Sequence, residues 1–203
     1  MMPKRAPNQM SLDREKSEFR RTSLALRRRA AEKSSPDALV NLSDHLVNQF
    51  GKMSGQIFSG YLAIGTEINV APAIAKLEQA GLVATLPVVT AAEQPLKFRH
   101  WTAGTLMESG PLRTRHPAAN SPEMIPDLLI IPMLAFDADG YRIGWGGGFY
   151  DRTLGKLRAE KEVIAIGAAF EAQKVDKVPR DEHDARLDWI ATETGLIEIT
   201  PSK

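Results

Sequence analysis

No cysteine occurs among the 203 residues. Disulfides, a thiolate nucleophile and zinc held by cysteine are thereby excluded. No apolar run approaches the ~18 residues that a membrane-spanning helix needs. The stretch Met1–Asp13 is polar and lacks the apolar segment of an export signal. An excess of one charge is also missing: 26 lysines and arginines face 25 aspartates and glutamates, a formal net charge of +1. The surface as a whole is therefore not built for polyanions. The four histidines (His45, His100, His116 and His183) show no metal-ligand spacing, and no G-x-S-x-G element offers a serine nucleophile. What remains reads as a soluble chain expected in the cytoplasm, 43% hydrophobic and 25% charged, long enough to bury a substantial core.

Residues 1–11, with Pro3, Pro7 and Asn8, read as a disordered tail, and 12–203 as a single α/β domain. Strong helix formers run from Leu12 to about Lys33, with eight basic residues against four acidic ones. Ser35-Pro36 starts a second helix, a cap residue followed by a first-turn proline. Leu39, Leu42, Leu46, Val47 and Phe50 then recur at helical spacing until Gly51. Ile57–Ile64, Leu82–Val89, Leu96–Trp101, Val163–Phe170, Leu187–Ala191 and Leu196–Ile199 read as strands. The wholly apolar Leu128–Ile131 reads as a central strand buried on both faces. Helices are expected over Val70–Gln79 and from about Gly148 to Arg158, and loop over most of Gly104–Pro126. This alternation predicts an α/β sheet with helices on its faces, where ligands sit beyond the C-terminal strand ends.

The chemistry concentrates in Ile131–Leu154, IPMLAFDADGYRIGWGGGFYDRTL. Gly144, Gly146, Gly147 and Gly148 lie between an apolar segment and the expected helix, with Arg142 before them and Asp151 and Arg152 after. A loop bare of side chains lets backbone N–H groups approach an anion, and the following helix adds its positive dipole end. Neither common phosphate fingerprint fits. No lysine follows the glycines as a P-loop requires, and Phe149 stands where G-x-G-x-x-G has its third glycine. A glycine-rich turn that merely packs a strand against a helix is the bland alternative.

Leu134–Arg152, LAFDADGYRIGWGGGFYDR, resembles the signature of the 5-formyltetrahydrofolate cyclo-ligase family, also called methenyltetrahydrofolate synthetases. Lys16-x-x-x-Arg20, Tyr61–Val70 (YLAIGTEINV), Leu96–Trp101 (LKFRHW) and Val178–Glu193 (VPRDEHDARLDWIATE) match in kind and order, so the resemblance covers nearly the whole chain after residue 12. Gly147 departs from members that carry a lysine there. The resemblance implies a three-layer, Rossmann-like α/β fold shared with sugar-phosphate isomerases and CoA-transferases. It implies ATP and Mg2+ as co-substrate and cofactor, and a monomer acting on a small molecule, 5-formyltetrahydrofolate with or without a polyglutamate tail. It implies neither nucleic acid nor membrane as partner.

The resemblance also implies roles. Lys16, Arg20, Arg142, Gly144, Trp145, Gly146, Gly147, Gly148, Phe149 and Tyr150 would hold ATP. Leu62, Glu67 and Tyr150 would hold the folate, Glu67 accepting hydrogen bonds from the pterin. Asp151 and Asp188 would hold magnesium, and Arg142 and Tyr150 would act in catalysis. The implied reaction transfers the γ-phosphoryl of ATP to the formyl oxygen, N10 attacks, and phosphate leaves to give 5,10-methenyltetrahydrofolate. Each role has a structural alternative: Lys16 and Arg20 as a solvated basic face, Glu67 as a loop carboxylate, Leu62 as core, Asp151 as a helix-start charge, Asp188 as an ion pair with Arg186 or Arg180. Two other functions stay open: a relative on the same fold acting on another anionic substrate, and a basic N-terminal helix that binds nucleic acid or a partner.

Overall fold

The computed structural model describes residues 7–200. Its elements run α1 (Pro7–Lys33), α2 (Ala38–Phe50), β1 (Ile57–Ser59), α3 (Ala71–Gln79), β2 (Val83–Val88), β3 (Lys97–His100), β4 (Met107–Ser109), β5 (Arg115–Pro117), β6 (Leu128–Pro132), β7 (Ala135–Phe136), β8 (Arg142–Ile143), α4 (Phe149–Glu160), β9 (Ile164–Ala168), β10 (Trp189–Ala191) and β11 (Leu196–Glu198). Seven strands form one sheet in the order β11-β10-β9-β6-β1-β2-β3. The pairs from β10 through β9, β6 and β1 to β2 are parallel, and only the edge strands β3 and β11 are antiparallel. Numbered by appearance, the five parallel strands stand in the order 2-1-3-4-5. The chain reverses direction across the sheet between β1 and β6, and a crevice at that switch point is where a doubly wound sheet binds ligands.

The period-2 geometry of β6 explains its unbroken apolar run. Leu128 and Ile130 pack with Leu42, Leu46, Ile74 and Leu77 of α2 and α3. Leu129 and Ile131 point the other way, onto Leu154 and Leu157 of α4. Helices therefore cover both faces, as the sequence implies. No helix among the described residues is long and apolar enough to cross a membrane.

The structure differs from the sequence expectations in three places. Helix α1 begins at Pro7 rather than Leu12; proline's fixed φ suits a first turn, so residues 7–11 of the expected tail are helical and residues 1–6 lie outside the described residues. The strand expected over Ile57–Ile64 ends at Ser59, and Gly60, where a Cβ would lie 2.4 Å from Ile74 Cδ1, lets the chain turn away close against α3. Residues 61–68 instead curl over the strand ends, closed by the Tyr61 hydroxyl donating to Ile68 O at 2.8 Å. Within the stretch expected as loop, β4 and β5 pair as an antiparallel ribbon; at three residues each, the strands are too short to show a periodicity.

Candidate active site

Lys16, Arg20, Ser23, Arg27 and Ala30 follow steps of three and four residues and so share one face of α1. That face lies over the C-terminal strand ends. Arg27 is 1% exposed, and burying a guanidinium requires partners. Its Nη1 donates to Glu67 Oε1 at 3.4 Å and to Met133 O, just beyond β6, at 3.5 Å, and its Nε donates to Thr66 Oγ1 at 3.3 Å. Burial lowers the Arg27 guanidinium from its usual value and the Glu67 charge opposes this; arginine stays charged regardless. Glu67 is buried in the loop after β1. Its Oε2 accepts Ile64 N–H at 2.8 Å, and its Oε1 also accepts the Trp145 indole at 3.1 Å. Beyond the ends of β1 and β6, at the switch point, the fold thus holds a carboxylate in a fixed orientation. Leu62, half-buried, packs against the core beside it.

The glycine loop between β8 and α4 closes over this cluster. Arg20 Nε donates to Gly144 O at 3.1 Å, and a Cβ at Gly146, where φ is +97°, would lie 2.9 Å from Arg20 Cζ. Gly148 is the N-cap of α4 at φ +64°, and no side chain caps that helix. Its first-turn N–H groups are consequently left for other acceptors. A Cβ at Gly147 would lie 2.6 Å from the Phe149 ring, so this loop has no room for a lysine there without moving Phe149. Arg152 supplies a cation nearby, donating from Nη2 to Gly147 O at 2.5 Å with its guanidinium 5.4 Å from the Phe149 ring centre. Between the loop, the 89–93 turn and Leu112 lies a cleft of about 650 Å³, reached by Phe149 and Arg152.

Arg142 is buried and forks between Ala185 O at 2.5 Å and Asp151 Oδ1 at 2.8 Å, and Asp151 Oδ1 also accepts Ala185 N–H at 3.1 Å. Lys16 donates to Asp181 Oδ2 at 2.9 Å and Asp184 Oδ2 at 2.5 Å. Burial by itself would lower the Lys16 ammonium, but its bonds to Asp184 and Asp181 and their charges outweigh this and hold it above the usual lysine value. Burial, then the Glu67 charge, pushes the Tyr150 phenol well above the usual tyrosine value, with Arg142 only partly offsetting them. Tyr150 is therefore a neutral donor at any ordinary pH.

Most of the sequence-predicted residues therefore meet at one edge of the sheet. Asp188 does not. It accepts Arg158 Nη2 at 2.7 Å and Ala165 N–H at 2.7 Å, at the start of β9 and the last turn of α4. Asp151 and Arg158 are seven residues apart, about 10 Å along the helix axis, so Asp151 and Asp188 stand near opposite ends of α4. The pairing expected of them fails for that reason, and Asp188 is an ion-pair residue, with Arg158 rather than Arg186 or Arg180. The acidic neighbour of Asp151 is instead Asp184, directly before the residue that Asp151 and Arg142 both bind. Nothing in the polar run Gln173–Ala185 distinguishes Asp184 by sequence. Arg27 was legible as the next inward position after Arg20 and Ser23. Asp137 is a further residue that its sequence context does not mark: it accepts Tyr141 N–H and Val178 N–H, each at 3.0 Å, and so fixes the β7–β8 turn that aims the glycine loop.

A family model described as the 5-formyltetrahydrofolate cyclo-ligase family matches residues 13–193. The 5-formyltetrahydrofolate cyclo-ligase of Escherichia coli (strain K12) is 32% identical over 143 residues, 68% of this chain and 78% of that protein. The protein of that name from Haemophilus influenzae is 29% identical over 168 residues, 80% of this chain and 86% of that one. The solved structure of Aquifex aeolicus 5,10-methenyltetrahydrofolate synthetase superposes with a TM-score of 0.71 at 22% identity, covering 93% of this chain and 94% of that one, and shares its fold.

Proposed function

The chain belongs to the 5-formyltetrahydrofolate cyclo-ligase family, and from that premise we propose that it converts 5-formyltetrahydrofolate to 5,10-methenyltetrahydrofolate at the expense of ATP. The observation that carries this reading is the meeting of two unlike subsites at the β1/β6 switch point. A bare loop before an uncapped helix, flanked by buried cations, suits phosphates. A buried, oriented carboxylate suits the N–H groups of a pterin.

Phosphoryl transfer asks a protein chiefly for positioning and charge neutralisation. Backbone donors at Gly146–Phe149, with Arg20 across the loop, would cradle the nucleotide phosphates. Trp145, Phe149 and Tyr150 would border it, and Arg142 would face the charge that develops on the transferring group. Glu67, held by Arg27 and Ile64 N–H, would fix the pterin beside Leu62 and Tyr150. The formyl oxygen then takes the γ-phosphoryl and ADP is released. N10 bonds to the formyl carbon and loses its proton, and phosphate leaves with the former formyl oxygen. The neutral Tyr150 phenol can donate to a phosphate or formyl oxygen throughout.

Magnesium usually keeps several waters and takes one or two carboxylates plus substrate phosphates. Asp151 and Asp184, joined through Ala185 and balanced by Arg142 and Lys16, fit that donor set and would hold it. When bound, the ion would neutralise phosphate charge. The role expected of Lys16 is refined accordingly. In this structure it is engaged by Asp181 and Asp184, so a contact with ATP requires sharing or exchange of those partners. A monomeric, cytoplasmic enzyme and the classification with sugar-phosphate isomerases and CoA-transferases are part of the same proposal. Nucleic acid is not part of this function: of the basic residues of α1, Lys16 and Arg27 face inward, whereas Arg14, Arg21, Arg28, Arg29 and Lys33 lie on its exposed side.

The test is formation of the methenyl chromophore from 5-formyltetrahydrofolate and MgATP by the purified protein. Turnover that requires ATP supports the reading, and none from a folded protein refutes it.

A further inference from the structure

Trp145 is 58% exposed, the only large aromatic among the strongly exposed hydrophobic residues described. Two contacts fix it despite that exposure: its N–H donates to Glu67 Oε1 at 3.1 Å, and the Arg27 guanidinium lies 5.2 Å from its ring centre. The acceptor is a particular one. Glu67 Oε2 is committed to Ile64 N–H, and Oε1 is the atom turned toward Arg27 and the site. Trp145 itself stands between Gly144, whose Cβ position has no atom within 4 Å, and Gly146 at φ +97°. Its backbone therefore belongs to the loop that would receive phosphates, while its indole occupies the atom that would receive the pterin.

Building on the function proposed above, we propose that Trp145 is a specificity-determining stand-in for the substrate. Its indole N–H satisfies Glu67 while the pterin subsite is empty, and only a ligand whose own N–H donors replace it there is admitted. Arg27, at 3.4 Å, is a long partner for Glu67 Oε1, and the indole at 3.1 Å adds a second donor to that atom, so Trp145 keeps it engaged between turnovers. A ligand lacking those donors must break the Trp145 bond without restoring it, and is rejected. Because the same residue belongs to the glycine loop, displacement of its indole by the pterin reaches the phosphate cradle directly. Arg27 serves as the positioning residue, touching both the carboxylate and the ring.

Trp145→Phe removes the N–H and keeps a ring; Trp145→Leu removes both. If the indole competes with the pterin, each variant lowers KM for 5-formyltetrahydrofolate by about fivefold, the equivalent of one net hydrogen bond of about 1 kcal/mol, and KM for ATP by less. In a Glu67→Gln background the Trp145→Phe change has a clearly smaller effect. Among the three tryptophans (Trp101, Trp145 and Trp189), Trp145 is then the one whose emission changes when 5-formyltetrahydrofolate is added without ATP, and the change is lost in Trp145→Phe. A KM that rises or stays the same in both variants overturns the inference, as does an emission change that survives Trp145→Phe. If calorimetry shows that the wild type does not bind 5-formyltetrahydrofolate at all, the proposed function fails first and this inference with it.

Discussion

Helices α1 and α2 each bury one face at steps of three and four residues, but α2 buries Leu42, Leu46 and Phe50 whereas α1 buries Lys16, Ser23 and Arg27. The apolar face stabilises the fold through the area it removes from water, about 25 cal/mol per Å². The cationic face gains little that way. Each of its charges is offset by a carboxylate or carbonyl brought from elsewhere in the chain: Asp181 and Asp184 for Lys16, Gly144 O for Arg20, Glu67 and Met133 O for Arg27. An apolar replacement of a buried ion pair is often at least as stable. The persistence of charge on α1 is thus better explained by a ligand than by folding, and the two helices divide the work between core and site.

The sharpest way to break this contrast is at Arg27. Arg27→Met should cost about 3–5 kcal/mol by leaving Glu67 buried without its cation. The double variant Arg27→Met, Glu67→Leu should recover most of that in a urea titration and still fail to turn over. A stable and active double variant would contradict the division. On α2, Leu46→Ala should cost about 2–5 kcal/mol through the lost methyl groups and the cavity left behind. Activity per folded molecule should stay near wild type, and a selective loss of kcat would place α2 in the site after all.

Lys16 gives a pH-dependent version. Its folded value lies above the usual 10.5, so its pairing contributes stability fully below that pH and loses it as pH rises through the folded value. Thermal melts from neutral to strongly alkaline conditions should show a fall that Lys16→Met diminishes; equal slopes in the two proteins would remove the pairing from the account. The smallest effect is expected at Asp188, a half-exposed partner of Arg158. Asp188→Asn should change stability by less than about 1 kcal/mol and activity less than twofold, while Asp184→Asn should lower kcat/KM by at least tenfold. The reverse ranking would restore Asp188 to the metal.

The helices and the strands of the main sheet, down to the three-residue β10 and β11, were legible because burial patterns their apolar residues. Leu128–Ile131 is apolar throughout because both its faces are covered, and α2 repeats leucine because only one of its faces is. The glycine loop was legible by its flanks rather than its spacing. The position of Asp188 was not, because sequence order does not tell which end of a neighbouring helix a loop residue reaches. Asp184 is hidden among equally polar neighbours in the sequence, and only the bonds of Ala185 to Asp151 and Arg142 single it out. The β4–β5 ribbon and the early end of β1 depend on contacts between distant residues, which no local pattern encodes.

Helix α4 starts at a residue that cannot cap it. Serine, threonine, aspartate or asparagine in place of Gly148 would ordinarily secure such a start by about 1 kcal/mol, yet φ there is +64° and a Cβ would lie 2.6 Å from Arg152 Nη1. The first turn of α4 accordingly has backbone donors to offer a visitor. Its amide protons should exchange with solvent in the free protein and slow when nucleotide arrives, so that the start of this helix reports occupancy of the site.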